Sequence, residues 1–281
     1  MHTSAIVLVL CAAVLHASWN AMLKGGDDRL RAMVVMSITS ALLSCSVIPF
    51  VPWPHEDSWP ALLTSAALHV FYNLFLVRAY RRGDLGQVYP IARGISPMLI
   101  TLGAAIFAGE YLVPWALAGI VLVSLGILSL ARGWAAQATR SDVGIALTTG
   151  VFIAAYTLVD GIGARLSGHA LAYTVWLFAL DGLPMPILYW LARGWHGHPL
   201  LQPTAATGKA AAGGAISLIA YGLVIWAASI GPMGPVSALR ETSVVFAALI
   251  GRIFLAENLT GRRLLACLSV AIGACLLGYR S

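Results

Sequence analysis

Residues 93–126 read RGISPMLITLGAAIFAGEYLVPWALAGIVLVSLG, and residues 240–273 read RETSVVFAALIGRIFLAENLTGRRLLACLSVAIG. The two stretches share an initial arginine, an Ile-Phe pair, a Glu-x-Leu motif, a valine and a final glycine. Each shared residue of the second stretch lies 147 residues after its counterpart. A duplicated unit of this size in apolar sequence predicts a membrane protein built from two repeats.

The composition supports this prediction. Of the 281 residues, 59% are hydrophobic and only 10% are charged, and the mean hydropathy is +0.85. A soluble domain carries about 25% charged residues, so most of this surface must face lipid or other helices. The net charge is +6, but no basic stripe with interleaved aromatic residues appears, as a nucleic-acid surface would need. We expect the lipid bilayer as a partner and no nucleic acid.

Ten apolar runs are long enough to cross a hydrocarbon core of roughly 30 Å, which takes about 20 residues. The runs are continuously apolar and do not alternate, so they predict helices and not barrel strands. The predicted segments are 3–23, 30–51, 59–80, 86–108, 112–131, 142–162, 169–192, 209–230, 234–256 and 260–279. The predicted fold class is an all-α integral membrane protein.

The polar stretch 132–141 separates a first repeat, residues 1–131, from a second repeat, residues 142–281. Each repeat holds five predicted segments. An odd number of crossings makes the second repeat enter the membrane from the opposite face. The sequence therefore predicts two inverted five-helix repeats around a central cavity.

The loop charges predict the orientation, because short cytoplasmic loops carry an excess of Lys and Arg. The opposite loops hold only Arg165 and Arg280, together with the acidic pair Glu56 and Asp57. The loops after segments one, three, five, seven and nine hold Lys24, Arg29, Arg31, Arg81, Arg82, Arg132, Arg140, Arg193, Arg262 and Arg263. Both termini are therefore expected on the non-cytoplasmic side of the inner (plasma) membrane.

The motif Glu110–Leu112 with Gly126, repeated as Glu257–Leu259 with Gly273, resembles the EamA-type members of the drug/metabolite transporter superfamily. Within that superfamily the chain is similar to bacterial YddG-like exporters of amino acids and metabolites. The resemblance covers essentially the whole chain. It implies a central cavity bordered by segments one, three, four, six, eight and nine. Many relatives are thought to keep both termini in the cytoplasm, and the loop charges of this chain argue for the reverse.

Arg93 lies about seven residues into the fourth predicted membrane segment, and Arg240 lies about six residues into the ninth. Insertion of such a residue costs at least about 2.5 kcal/mol, so it usually faces a cavity, a partner or the interface. We hypothesise that Arg93 and Arg240 attract a carboxylate or another anion. The alternative is that each side chain extends to its interface or pairs with a helix end. Glu241 follows Arg240 directly and is predicted to point elsewhere on the helix, so that the two do not face each other.

Prolines flank both arginines. Pro90 and Pro97 lie on either side of Arg93, and Pro232 and Pro235 precede Arg240. Proline removes a backbone donor and disrupts the preceding turn. The fourth and ninth segments are therefore predicted to be interrupted, with Pro90 and Pro97 as gating candidates. Interrupted helices near the membrane midplane are where many transporters bind solutes.

Aromatic and polar residues at helical spacing supply further candidates. His16 and Asn20 share one helix face, as do His69 and Asn73, and the combination suits an amphiphilic organic solute. The alternative is that the aromatic residues anchor the interfaces and the polar residues bond to neighbouring helices. The predicted substrate-binding residues are His16, Trp19, Asn20, His69, Tyr72, Asn73, Arg93, Tyr156, Trp226 and Arg240.

Asp160 and Asp181 are candidates for proton coupling or gating, together with His16 and His69. Asp181 can equally accept backbone donors freed where Pro184 and Pro186 bend its helix.

Glu110 and Glu257 are predicted to be structural, each accepting donors from the N-terminus of the next helix. Gly126 and Gly273 are predicted to allow close helix contact, as is the Ala/Gly-rich stretch 210–215.

No nucleotide-binding or hydrolase motif is present, namely no G-x-x-x-x-G-K-[ST], H-E-x-x-H or G-x-S-x-G. We expect a secondary transporter that exports small organic metabolites, above all amino acids including aromatic ones, by alternating access, as a monomer without cofactor or metal. One alternative is a flippase-like or scaffold subunit that acts on lipid-linked molecules. Another is an intramembrane enzyme that would use Asp160 with Asp181.

Overall fold

A computed structural model describes residues 3–23, 28–82, 85–131, 139–193, 205–254 and 260–278. Lys24, Arg132, Glu257, Leu259, Arg280 and most of the stretch 132–141 lie outside these described residues. Within them we number twelve α-helices. They are α1 Thr3–Leu23, α2 Arg29–Val47, α3 Trp59–Arg82, α4 Leu85–Phe107, α5 Pro114–Ser129, α6 Arg140–Leu166, α7 Ala170–Asp181, α8 Pro184–Arg193, α9 Ala205–Ile230, α10 Met233–Arg240, α11 Ser243–Phe254 and α12 Gly261–Gly278.

Each predicted segment coincides with one helix or with a consecutive pair of helices. Among the described residues, eight helical stretches are long and apolar enough to cross a membrane, and α5 is a shorter apolar helix. Two of the eight stretches, 170–191 and 233–253, each run across a break between two helices. The expected long apolar helices are therefore confirmed, and these eight stretches are candidate membrane spans by their length and composition.

The seventh and ninth predicted segments are both broken, the first beside Asp181 and the second beside Arg240, and both residues are predicted candidates. α7 ends at Asp181, and α8 starts at Pro184, which has no backbone donor to continue the ladder. α10 ends at Arg240, where Glu241 and Thr242 each donate to the carbonyl three residues earlier. That tighter bonding closes the last turn of α10.

The expected interruption of the fourth segment is wrong. α4 runs without a break from Leu85 to Phe107, with Pro90 and Pro97 inside it. A proline removes one bond of the helix ladder, and membrane helices tolerate that loss where side chains and neighbouring helices satisfy the freed groups. Two hydroxyls also donate to helix carbonyls near Pro97, Ser96 to Ala92 at 2.7 Å and Thr101 to Pro97 at 2.8 Å.

α5 and α12, which occupy equivalent positions in the two repeats, cross with their chains antiparallel. Gly119 faces Gly273, and further along α5 Gly126 faces Ala266. A Cβ atom on Gly119 would lie 2.8 Å from the Gly273 carbonyl oxygen, so glycine permits this backbone approach. The Ser269 hydroxyl donates at 2.9 Å to the carbonyl of Leu122, its own counterpart 147 residues earlier. The close contact predicted for Gly126 and Gly273 is confirmed.

The two halves of the chain also pack against each other elsewhere. α1 packs on α9 as α3 packs on α6, and α4 packs on both α6 and α10. The Ala/Gly-rich stretch 210–215 makes its predicted close contact, because Gly214 lies against the backbone of Met36 and accepts a hydrogen bond from Ser40 at 3.0 Å. All eight residues of α10 are buried in the centre of this packing. The centre of the bundle therefore holds the break that follows Arg240.

Candidate functional site

A buried ion pair joins α4 to the break between α10 and α11. The Arg93 Nε donates to the Glu241 Oε2 at 2.7 Å, and the two side chains are 6% and 0% exposed. Arg93 Nη2 also lies 3.4 Å from the Ser243 hydroxyl, at the start of α11. The Glu241 carboxylate therefore points towards α4. The pair thus connects the first repeat to the second.

His16 of α1 also contacts Arg93. Its Nε2 lies 2.7 Å from Arg93 Nη1. A guanidinium has only donors, so Nε2 must be the acceptor and the imidazole is neutral, with its proton on Nδ1. The Trp19 ring meets the His16 ring edge-on at 5.1 Å between centroids. Asn20 donates at 2.7 Å to the His16 carbonyl within the same helix.

Arg240 lies on the other side of the same carboxylate. Its Nη2 is 3.5 Å from Glu241 Oε1, and its side chain is 5% exposed. Arg240 Nε, Arg240 Nη2 and Glu241 Oε1 are all buried and form no hydrogen bond with any residue that the structure describes. The prediction that Arg240 and Glu241 point apart is therefore wrong, because the helix ends between them.

The charges of this cluster do not cancel. Arg93, Arg240, Glu241 and the neutral His16 together carry two positive charges and one negative charge. Burying an unpaired charge is costly, and Arg240 keeps unsatisfied donors. The Trp19 indole N–H, on the same helix face as His16, is also buried without a hydrogen-bond partner among the described residues. The arrangement can accept an anionic, hydrogen-bond-accepting group.

A second buried cluster surrounds Asp160 of α6, which is 1% exposed. Tyr221 of α9 donates to its Oδ2 at 2.6 Å, and Tyr173 of α7 donates to its Oδ1 at 3.1 Å. The Tyr221 side chain also packs against the apolar core that contains Leu239, the residue before Arg240. Tyr221 therefore lies between the two clusters and contacts Asp160 directly.

The aromatic candidates of α3 and α6 pack together beside Asp160. The His69 ring stacks on Tyr156 at 4.1 Å, and Tyr72 meets Tyr156 edge-on at 5.5 Å between centroids. His69 Nδ1 donates to the Ser65 carbonyl at 2.9 Å, a bond within its own helix. Asn73, on the same helix, is half-buried.

Asp181 is the last residue of α7, the helix that also carries Tyr173. Its Oδ1 is buried and has no hydrogen-bond partner among the described residues. His69 and Asp160 thus share one region through Tyr221, whereas His16 belongs to the arginine cluster.

Trp226 lies apart from both clusters. It is 53% exposed and follows Ile219, which is 55% exposed, by two helical turns on the same stripe of α9. Trp226 lies five positions after Tyr221, so the two side chains point about 140° apart around the helix. The structure therefore leaves Trp226 on the outer surface of the bundle.

A third charged set, which joins four elements, was not predicted from the sequence. Arg165 Nη2 lies 2.5 Å from Glu110 Oε1, while its Nε and Nη2 donate to the carbonyls of Ala228 and Gly231. Glu110 Oε2 accepts the backbone N–H of Met233 at 2.8 Å. Glu110 therefore caps a helix N-terminus as expected, but the helix is α10 of the second repeat and not α5, which starts at a proline and has no side-chain cap.

Comparison with known proteins gives a consistent result. The EamA-like transporter family matches residues 3–132 and 141–279, and thus both repeats. No curated protein matches the chain in sequence. Solved structures with the same fold exist, and one crystal structure aligns over 100% of both chains with a TM-score of 0.77 at 16% identity. The match spans nearly the whole chain in two copies, and the chain is therefore a multi-pass membrane protein of the EamA-like transporter family, in the drug/metabolite transporter superfamily.

Proposed function

We propose that this protein is a secondary transporter that exports small organic metabolites with a carboxylate, above all amino acids including aromatic ones. One observation carries the proposal: the buried guanidinium of Arg240 has two donor nitrogens without a hydrogen bond among the described residues. A carboxylate matches such a donor pair in geometry and charge. It would also neutralise the surplus positive charge beside Glu241.

Arg240, and not Arg93, is the proposed anchor for the solute. Arg93 already contacts Glu241, His16 and Ser243. A solute that displaced these contacts would have to break a buried ion pair first, which is costly. Arg93 then has the role of holding Glu241 in position beside the anchor.

The aromatic cluster supplies a surface for the organic part of the solute. Tyr221 and Tyr156 lie 6.0 Å apart between ring centroids, with His69 against both rings. Aromatic rings beside a few polar groups bind amphiphilic solutes in many pockets. Tyr221 packs against the apolar core that contains Leu239, the residue before Arg240, so we propose that the anchor and the aromatic surface line one central cavity.

We further propose ten crossings arranged as two inverted repeats that alternate access by rocking against each other. The antiparallel crossing of α5 and α12 supports this arrangement. Equivalent helices would run parallel if the two repeats had the same orientation in the membrane. An antiparallel crossing along matched residues therefore requires that one repeat is inverted. The 147-residue offset relates Gly119 to Ala266 and Gly126 to Gly273. The contact of Gly119 with Gly273 and the contact of Gly126 with Ala266 are therefore equivalent, as two-fold symmetry between the repeats requires.

The proposed location is the inner membrane, with both termini on the non-cytoplasmic side. The loop charges support this orientation. Alkaline phosphatase fused after the last residue is active only outside the cytoplasm, so we expect an active fusion. A green fluorescent protein fused at the same position should stay dark, and a fluorescent fusion with an inactive phosphatase would reverse the topology.

Flux into liposomes tests the function. Purified protein should carry at least one of a panel of radiolabelled amino acids faster than protein-free vesicles do. Replacement of Arg240 by Met should lower the flux by tenfold or more, because a charge-assisted hydrogen bond contributes roughly 1.5–3 kcal/mol. Replacement of Arg252, an exposed arginine of α11, is the matched control and should leave the flux unchanged. A panel without any transported amino acid would refute the substrate class.

A further inference from the structure

We propose that Glu110 and Arg165 form a lock that closes one side of the transporter and positions α10, the helix that ends at Arg240. The inference rests on the proposed alternating access. It assigns two positioning residues that act through α10 and do not touch the solute. We infer further that the structure represents the conformational state that is closed on the side of Glu110.

The contacts of Arg165 place its guanidinium at the junction of four elements. It bonds to Glu110 in the turn after α4, to Ala228 near the end of α9 and to Gly231 between α9 and α10. Its own position is the last turn of α6. One side chain thus fastens the first repeat to three elements of the second, and a rocking motion that opens this side must break the Glu110 bond.

Glu110 fixes the start of α10 directly. Its second oxygen accepts the backbone N–H of Met233, a first-turn donor that has no partner within the helix. A carboxylate is also favoured there by the helix dipole. Gly109 adopts a φ of +65°, which turns the chain so that Glu110 follows α4 closely.

α10 transmits this position to Arg240. It has eight residues, all buried, so it fits closely between its neighbours. Gly234 near its start lies against Thr101 of α4 without room for a side chain. A shift at Met233 therefore moves the whole short helix, including the Arg240 guanidinium at its other end.

The lock is more accessible than the central ion pair. The Arg165 and Glu110 side chains are 31% and 13% exposed, against 6% and 0% for Arg93 and Glu241. A pair that water reaches is less costly to break, as a gate requires.

Cysteine labelling tests the lock without any solute. Ser237, in the middle of α10, is 0% exposed. A Ser237→Cys chain, with the four native cysteines replaced by alanine, reports whether a membrane-impermeant maleimide reaches α10. We expect slow labelling with the native lock. Labelling should become roughly tenfold faster in Arg165→Ser and in Glu110→Gln, because each loses a charge-assisted bond.

We also predict from which face of the membrane the maleimide reaches the cysteine. Tyr111, next to Glu110, is 86% exposed, so Tyr111→Cys identifies the membrane face that carries the lock, in right-side-out and inside-out vesicles. The faster labelling should come from that face. Arg165→Lys, which keeps the charge, should label more slowly than Arg165→Ser.

Three outcomes would overturn the lock: unchanged labelling in Arg165→Ser and Glu110→Gln, faster labelling from the opposite face, or equal acceleration from both faces. The last outcome would indicate general loosening of the fold. Failure of the proposed solute class would leave the labelling result intact, because no solute is present. A lock that opens on the Tyr111 face while no amino acid is carried would therefore support the gate and refute the substrate.

Discussion

Replacement of Glu241 by Gln is expected to destabilise the protein strongly. The Glu241 carboxylate is 0% exposed, bonds to Arg93 at 2.7 Å and lies 3.5 Å from Arg240. Glutamine keeps the shape and an acceptor oxygen but leaves two buried guanidinium groups without an anion. Loss of one partner of a buried pair costs about 3–5 kcal/mol. For a chain of this size that loss lowers Tm on the order of 10 °C.

Replacement of Arg240 by Met is expected to act in the opposite direction. Arg240 has two buried nitrogens without a hydrogen bond among the described residues, and each unsatisfied group costs about 1–3 kcal/mol. Its removal leaves Arg93 and Glu241 as a balanced pair. We therefore expect Tm to stay the same or to rise, although carboxylate transport is lost.

The assay is thermal unfolding in detergent, followed by the fraction of tagged protein that remains monodisperse on size-exclusion chromatography. Arg252→Met, at an exposed position of α11, is the matched control for loss of an arginine. The reasoning is refuted if Glu241→Gln melts within about 2 °C of the native chain. It is equally refuted if Arg240→Met loses as much stability as Glu241→Gln.

Two further predictions concern the aromatic cluster and the helix contact. Tyr221→Phe removes the 2.6 Å hydrogen bond to the buried carboxylate of α6 and should lower the initial rate of liposome transport, whereas Trp226→Ala, on the exposed stripe of α9, should not; equal rates in both variants would count against the site. Gly273→Ala should destabilise the protein by about 1–3 kcal/mol through overpacking, because the new Cβ atom would lie 2.7 Å from the Gly119 carbonyl oxygen. Gly144→Ala is the control and should not destabilise the protein, because a Cβ atom there has nothing within 4 Å. Thermal unfolding compares the two variants.

Positions of helices and close contacts between them could be predicted because both depend on local sequence. Long apolar runs fix where a chain can cross a bilayer, and the predicted segments match the helices to within a few residues at most ends. Gly126 and Gly273 indicated a close approach of two helices, because only very small residues fit between two closely packed helix backbones. These inferences need no knowledge of which helix is the neighbour.

Partners across the bundle could not be predicted in the same way. Glu241 seemed to point away from Arg240 because successive residues of a helix lie about 100° apart, and nothing local marked the end of α10 between them. Glu110 and Arg165 are 55 residues apart, and their meeting depends on how the repeats pack. An acidic residue in apolar sequence was the available signal for Glu241, since a buried charge requires a partner.

The two repeats are alike where they pack and differ where they carry charge. Arg93 and Arg240 are equivalent, but the residues that follow them are Gly94 and Glu241. A Cβ atom on Gly94 would lie 2.7 Å from the Leu128 side chain, so the first repeat has no room for an acid there. One carboxylate must therefore serve both arginines, and the positive charge left over is fixed at Arg240. The same packing that makes the repeats match thus creates the electrostatic asymmetry on which the proposed binding of a solute anion depends.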